Sequence, residues 1–336
     1  MNDVTSQLNE RFVKTIELKH KQTIEINPQS PYNFDATVFK PAHYPDPLKI
    51  YETGRYWFAM RFENKIYGIK MKNQGTIETP KIKIVFFSAN RITKEETRKL
   101  TDELNFRFEF NRDISEFYRK FKNDKILSVF LRKWRGMHGS CAQDLYGLLM
   151  ISIFLQNTTV KRTVQMTNTM LQKYGIKIGF DNKEIFVFWK PEKMTRVSEE
   201  DIRKLNVGYR AKLLIRLSET FINEKIDELE LRQMPVDAAK AKLMKIYGVG
   251  PETARIILQE ALHHYDIFDH VAPWQQKIYS RLIFNKRTVT TERIIRYARL
   301  HWGKWAVLAV HYIWEDIFWQ RKHGKRIDWL EKEIRL

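Results

Sequence analysis

The sequence predicts an α+β fold, a mostly α-helical core preceded by an antiparallel β-sheet N-terminal domain. Segments dense in β-formers are confined to the first third of the chain. From about residue 113 the apolar residues recur at helical spacing instead. With 336 residues, 43% of them hydrophobic, the chain can bury two or three cores. The expected division is 1–112 for the β domain and 113–336 for the helical core.

The β elements come first. "RYWFAMRF" (55–62) and "IYGIKMK" (66–72) are rich in aromatic and β-branched residues, and "ENK" between them is a short hairpin loop. "KIKIVFF" (81–87) alternates basic and apolar residues. "TKEETRKLTDELNFRF" (93–108) reads as an amphipathic helix. The proline-rich "FKPAHYPDP" (39–47) is a loop within this domain.

A succession of helical segments follows, from "DISEFYRKF" through "DLYGLLMISIFLQ" and "VKRTVQMTNTMLQKYG" to "WAVLAVHYIWEDIFWQRK". Asp144 caps one of them. Ser198, with Glu199 and Glu200 in the first turn, caps another. Gly175 is expected to close a helix at its C′ position.

Charge bounds the partner. The 59 Lys and Arg outnumber the 40 Asp and Glu, a formal surplus of +19. A surplus that large implies a polyanion, nucleic acid first and a membrane surface second. The basic residues are spread along the chain, which favours a folded basic face over a disordered arm. The single cysteine, Cys141, excludes a disulfide framework, a cysteine zinc site and a four-cysteine iron–sulfur cluster. No run of about 18 apolar residues appears, and the N-terminus lacks a signal pattern. An intracellular protein without a membrane span is expected, in cytoplasm and nucleoid or in a nucleus.

"KIYGVGPETARIIL" (245–258) places Gly248 and Gly250 around Val249 between two helix-like segments, in a chain with only 13 glycines. One reading is a helix-to-helix turn, with Gly at C′ and Pro251 at N1. The other adds a function. Bare N–H groups at the start of the second helix, flanked by small residues, make an anion site, and phosphate is the usual anion. Downstream, "IFDHVAPWQQKIY" delivers Asp269 toward the start of another helix, where a carboxylate is favoured electrostatically. That residue is an N-cap or a catalytic group.

"IYGVGPETARIIL" followed by "IFDHV" resembles the helix-hairpin-helix Gly/Pro-Asp (HhH-GPD) superfamily of DNA glycosylases. "LLMISIFLQNTTVKRTVQMTNTMLQKYG" (148–175) is similar to the helix–loop–helix that carries the wedge of these enzymes. "SEEDIRKLNVGYRAKLLIRLSE" (198–219) is similar to their next two helices. "HWGKWAVLAVHYIWEDIFW" (301–319) is similar to their C-terminal helix, expected at about 303–322 and packed back on the core. The preceding β domain is similar to that of 8-oxoguanine and AlkA-type 3-methyladenine glycosylases. The resemblance implies a hairpin at about 238–262 whose Gly248, Val249 and Gly250 amides bind a DNA phosphate. It implies Asp269 as the catalytic carboxylate, which stabilises an oxocarbenium-like sugar or orients water. Asn157 falls at the wedge position, and Tyr209 and Arg210 at positions that intercalate and contact the orphaned base. Asn157 as a helix cap and Tyr209 as a core residue stay open.

One departure bears on mechanism. Bifunctional members carry a nucleophilic lysine two residues after the second hairpin glycine, and here that residue is Glu252. A carboxylate cannot form an imine, so hydrolysis by a monofunctional enzyme is expected. Lys242 and Lys245 in the preceding helix are the candidates for a displaced lysine. Pro273 sits four residues after Asp269, which delays the helix and makes Asp266 a second candidate acid. Trp305, Trp314, Phe318 and Trp319 are candidate pocket aromatics. Glu252 leans toward alkylated purines, and Tyr209 with Arg210 toward 8-oxoguanine. The expected partner is double-stranded DNA with a damaged base, bound by a monomer that uses no cofactor and no metal. A non-catalytic DNA-damage binder is the reading from another class.

Overall fold

The computed structural model describes residues 15–40, 47–265, 267–325 and 330. An antiparallel five-stranded sheet is built from His20–Ile26, Lys49–Glu52, Arg55–Phe62, Lys65–Asn73 and Ile82–Ser88, with the 20–26 and 49–52 strands at its edges. The 55–62 and 65–73 strands pair in register from Arg55–Lys72 to Phe62–Lys65. Their turn places Glu63 and Asn64 at φ 44° and 64°. That left-handed pair matches the twist of a two-residue hairpin. One face of the sheet buries Tyr56, Phe58, Ile69, Met71, Ile84 and Phe86 against Leu100, Leu104 and Phe108. Leu100 and Leu104 belong to the helix Lys94–Arg107. Thr93 and Glu96 close a reciprocal capping box at its start, satisfying two otherwise orphaned donors.

The chain beyond residue 113 is not all helix. Ile176–Phe180 and Lys183–Val187 form a hairpin, joined by Asp181 and Asn182 at φ 51° and 57°. Thr15–Glu17 adds to it in parallel, so this second sheet takes strands from both sides of residue 112. The two sheets are tied at Asp181, which accepts from Trp57 Nε1 at 2.8 Å and pairs with Lys70 at 2.7 Å. Gly175 also differs from expectation. Its φ is −67°, so it supplies no left-handed cap. A Cβ there would lie 2.5 Å from the Leu171 carbonyl oxygen, so close approach requires the glycine.

Two apolar clusters form the helical core. One gathers Leu149, Met150, Ile153, Leu214, Leu243, Ile246, Val249, Ala254 and Ile257. The other gathers Phe268, Val271, Ile278, Tyr279, Trp302, Tyr312 and Ile313. The hairpin is thus rooted in one cluster and the segment around Asp269 in the other. A buried charge network clamps the end of the 94–107 helix to the core. Arg107 pairs with Glu103 at 2.6 Å and Glu228 at 3.2 Å, and Arg232 pairs with the same two carboxylates. Cys141 is buried, and burial pushes its thiol up to about 12. Among the described residues no helix is long and apolar enough to cross a membrane.

Candidate active site

The hairpin joins the helices Val236–Met244 and Pro251–Glu260. Gly248 turns the chain at φ 86°, a conformation that L side chains rarely adopt. Gly250 is the N-cap, at φ −90° and ψ 177°, and Pro251 follows at N1. The first N–H to find an intrahelical acceptor is that of Ala254, on the Gly250 carbonyl at 2.9 Å. The earlier amides of this turn have no partner within the helix. Gly250 needs no special backbone, and a Cβ added to it would meet nothing within 4 Å. Glycine is a common N-cap residue, and here it leaves open space at the start of the helix.

Asp269 lies in an irregular segment between two buried side chains, Phe268 and Val271. Burying Phe268 contributes about 2 kcal/mol to holding the segment down. The helix that follows is Pro273–Phe284 with Ala272 as N-cap, so Asp269 stands upstream of the helix and does not cap it. The proline sets that later start. Asp266 lies outside the described residues. The side-chain partner of Asp269 is Lys240, with Nζ 3.2 Å from Oδ2 and about a third of each side chain exposed. The lysine beside the acid is therefore neither of the two expected. Lys242 turns to Glu230 at 2.7 Å, and Lys245 is exposed at the helix end. Helical geometry explains the difference: Lys240 is two residues from Lys242 and about 200° around the helix.

Glu252 is engaged by two residues. Arg255 clamps it with Nη2 2.7 Å from Oε1 and Nε 3.1 Å from Oε2, and His270 Nε2 lies 3.3 Å from that same Oε2.

Beside the hairpin, the turn after the helix Leu145–Leu155 presents Asn157 at φ 48°. Asn tolerates that left-handed region well. Asn157 Nδ2 donates to Tyr209 Oη at 3.3 Å, and Gln156 Nε2 donates to the Gly248 carbonyl, also at 3.3 Å. Thr159, not Asn157, caps the next helix. Leu155, Tyr209, Met244 and Tyr247 are exposed apolar side chains on these turns and their flanks. Arg216 lies over the Tyr247 ring at 5.0 Å.

Tyr209 and Arg210, adjacent in sequence, have opposite fates. Tyr209 is 45% exposed, whereas Arg210 is 7% exposed. The Arg210 guanidinium donates to the Ile153 carbonyl at 3.3 Å and to the Gln156 carbonyl. It caps the turn that presents Asn157, and reaching an orphaned base would strip both carbonyls of their donor. The candidate aromatics mostly serve packing. Trp305 and Trp314 are buried, Trp314 Nε1 donates to Tyr279 Oη at 2.5 Å, and Trp319 packs edge-on to Trp134.

A buried ionisable group between the β domain and the last long helix escaped the sequence reading. Burial lowers Lys40, and the carboxylates of Glu315, Glu260 and Glu109 oppose that. Burial raises Glu260, and Lys40 opposes it. Burial also holds His311 well below its usual value. Burial takes His263, stacked between Phe106 and Tyr265, down to about 4. These residues are scattered through the sequence and carry no common spacing.

Residues 150–299 match the model of the HhH-GPD superfamily of base excision DNA repair proteins. The chain is 23% identical over 215 residues to the DNA-3-methyladenine glycosylase of Bacillus subtilis, covering 63% of this chain and 70% of that protein. It is 26% identical over 228 residues to a protein of Methanothermobacter thermautotrophicus named as a probable N-glycosylase/DNA lyase, covering 62% and 72%. The fold is similar to that of the 3-methyladenine DNA glycosylase from Archaeoglobus fulgidus. The TM-score is 0.71 at 18% identity, over 88% of this chain and 99% of that one.

Proposed function

The chain belongs, through residues 150–299, to the HhH-GPD superfamily of base excision DNA repair proteins, and from that premise we propose a DNA glycosylase that flips a damaged purine from double-stranded DNA and hydrolyses its N-glycosidic bond. The observation that carries the reading is the pairing of an open hairpin with a held carboxylate. Gly248 and Gly250 offer backbone amides to a phosphate, whereas the N–H of buried Val249 donates to the Ile246 carbonyl at 3.0 Å, and Asp269 stands on the neighbouring segment. Asn157, with Tyr209 against it, fills the space left by the extruded nucleotide, and Arg210 braces that turn. The formal charge of +19 supplies the sequence-independent part of binding.

The chemistry follows from the charge. As the bond breaks, the base leaves with the bonding electrons and positive charge grows at C1′. The Asp269 carboxylate stabilises that charge and takes a proton from the attacking water. The hydroxyl goes to C1′, the departing base is protonated, and the product is an abasic site. With Glu252 at the nucleophile position, no imine forms there.

One observation favours a second reading. Lys240 Nζ, 3.2 Å from Asp269 Oδ2, is an amine beside the proposed catalytic acid. It could attack C1′ of the abasic product, lose water to give an imine, and release the 3′ phosphate by elimination. Duplexes carrying one 8-oxoguanine or one 7-methylguanine decide between the readings. Hydrolysis predicts strand breaks only after alkali and no adduct with borohydride. Trapping that disappears in Lys240→Gln would establish the lyase, and no excision of either base would count against both readings.

A further inference from the structure

Three side chains on one face of the helix Pro251–Glu260 connect the hairpin to the segment that carries Asp269. Glu252, Arg255 and Gln259 are spaced i, i+3 and i+7, which stacks them along one stripe. Arg255 sits between the other two. Its Nη2 and Nε donate to the two Glu252 carboxylate oxygens at 2.7 and 3.1 Å, and its Nη1 donates to Gln259 Oε1 at 2.7 Å. With its oxygen so engaged, the Gln259 amide points Nε2 at the Ile267 carbonyl, 2.8 Å away. Gln259 is 6% exposed, so this amide has few alternatives in water. His270 Nε2 lies 3.3 Å from Glu252 Oε2, the oxygen that also accepts from Arg255 Nε. The stripe therefore grips the segment two residues before Asp269, at the Ile267 carbonyl, and His270, one residue after it, lies beside Glu252.

We propose that Arg255 is a positioning residue for Asp269, held in place by Glu252 and acting through Gln259 on the Ile267 carbonyl. In this account Glu252 is the outer anchor of the brace that places the catalytic acid. The inference rests on Asp269 being that acid. Arg255 and Gln259, the inner part of the brace, are largely buried, while Glu252 and His270 face solvent. The brace sets where the carboxylate stands, and a displacement of about 1 Å at a reacting group costs about 100-fold in rate. Arg suits the place because its planar fork holds a carboxylate and an amide oxygen at once, which a lysine ammonium cannot do with the same geometry.

The test is single-turnover excision on a duplex carrying a base that the wild-type protein removes, with duplex binding measured alongside. Arg255→Met is expected to slow excision about 10- to 100-fold while duplex affinity stays within about twofold. Arg255→Lys should recover part of the rate. Glu252→Gln, which keeps one acceptor for the Arg255 fork at a position about a third exposed, should show a smaller loss of the same kind. Because Arg255 acts through Asp269, Arg255→Met added to Asp269→Asn should slow the residual rate no further. Wild-type excision by both Arg255→Met and Glu252→Gln, beside an impaired Asp269→Asn, would overturn the brace alone. A full additional loss in the double variant would overturn it too. Unimpaired Asp269→Asn would overturn the assignment of Asp269, and the brace with it.

Discussion

Gly248 and Gly250 stand two residues apart and answer to different constraints, which substitution can separate. At Gly248, φ is 86° and the nearest atom to an added Cβ would be Leu213 Cδ2 at 3.7 Å, an ordinary contact. Gly248→Ala is therefore opposed by backbone conformation alone, a cost of about 1–2 kcal/mol. At Gly250, φ is −90° and an added Cβ meets nothing within 4 Å. Gly250→Ala stiffens the unfolded chain but replaces a favoured N-cap residue by a poor one, so stability should stay within about 0.5 kcal/mol of wild type. The DNA-binding effects should run the other way. An anion at a helix N-terminus is worth up to about 2 kcal/mol in a partly buried geometry. Gly250→Val puts a branched side chain where that anion would approach, so affinity should fall about 5- to 30-fold, for damaged and undamaged duplex alike. Urea unfolding reads the first effect. Anisotropy of a labelled duplex at fixed salt reads the second. Binding by Gly250→Val within twofold of wild type would refute the phosphate role of the hairpin. A loss of stability in Gly250→Ala equal to that in Gly248→Ala would refute the division of labour.

The buried network should behave as a unit. Arg107→Met leaves Glu103 and Glu228 sharing Arg232, and should lower the urea unfolding free energy by about 3–5 kcal/mol, whereas Arg107→Met with Glu103→Leu should recover part of that loss. Acid should destabilise the fold early. His263, lowered from 6.5 to about 4 by burial, refuses a proton that the unfolded chain accepts below 6.5. Its stabilisation of about 3 kcal/mol is complete above that pH and drains away as pH falls to about 4. His263→Asn, which suits the local φ of 59°, should flatten that part of the stability–pH curve.

Much of this arrangement is legible in the sequence because it is local. Thr93, Asp144 and Ser198 cap helices, and the Glu63–Asn64 turn falls within "ENK". The "GVG" turn and Pro251 at N1 likewise depend on neighbours a few residues away. The strands of 176–187 went unread because each is five residues long and lies among helices, though Asp181-Asn182 between two apolar runs was a usable hairpin signal. The parallel pairing of 15–17 with 177–179 has no local signature. Arg210 follows an exposed tyrosine, and its burial is decided by two carbonyls more than 50 residues away. Lys240 meets Asp269 because the hairpin reverses the chain between them, and spacing along the sequence cannot distinguish it from Lys242 or Lys245.

The central claim is that the Asp269 carboxylate does the chemistry while the hairpin and the wedge turn hold the DNA. Asp269→Asn keeps the shape and removes the charge. Single-turnover excision of a damaged purine by this variant, beside its affinity for the same duplex, tests the claim most directly. The account predicts affinity within a few-fold of wild type and excision slowed by about 100- to 1,000-fold or more. Excision at close to the wild-type rate would contradict it.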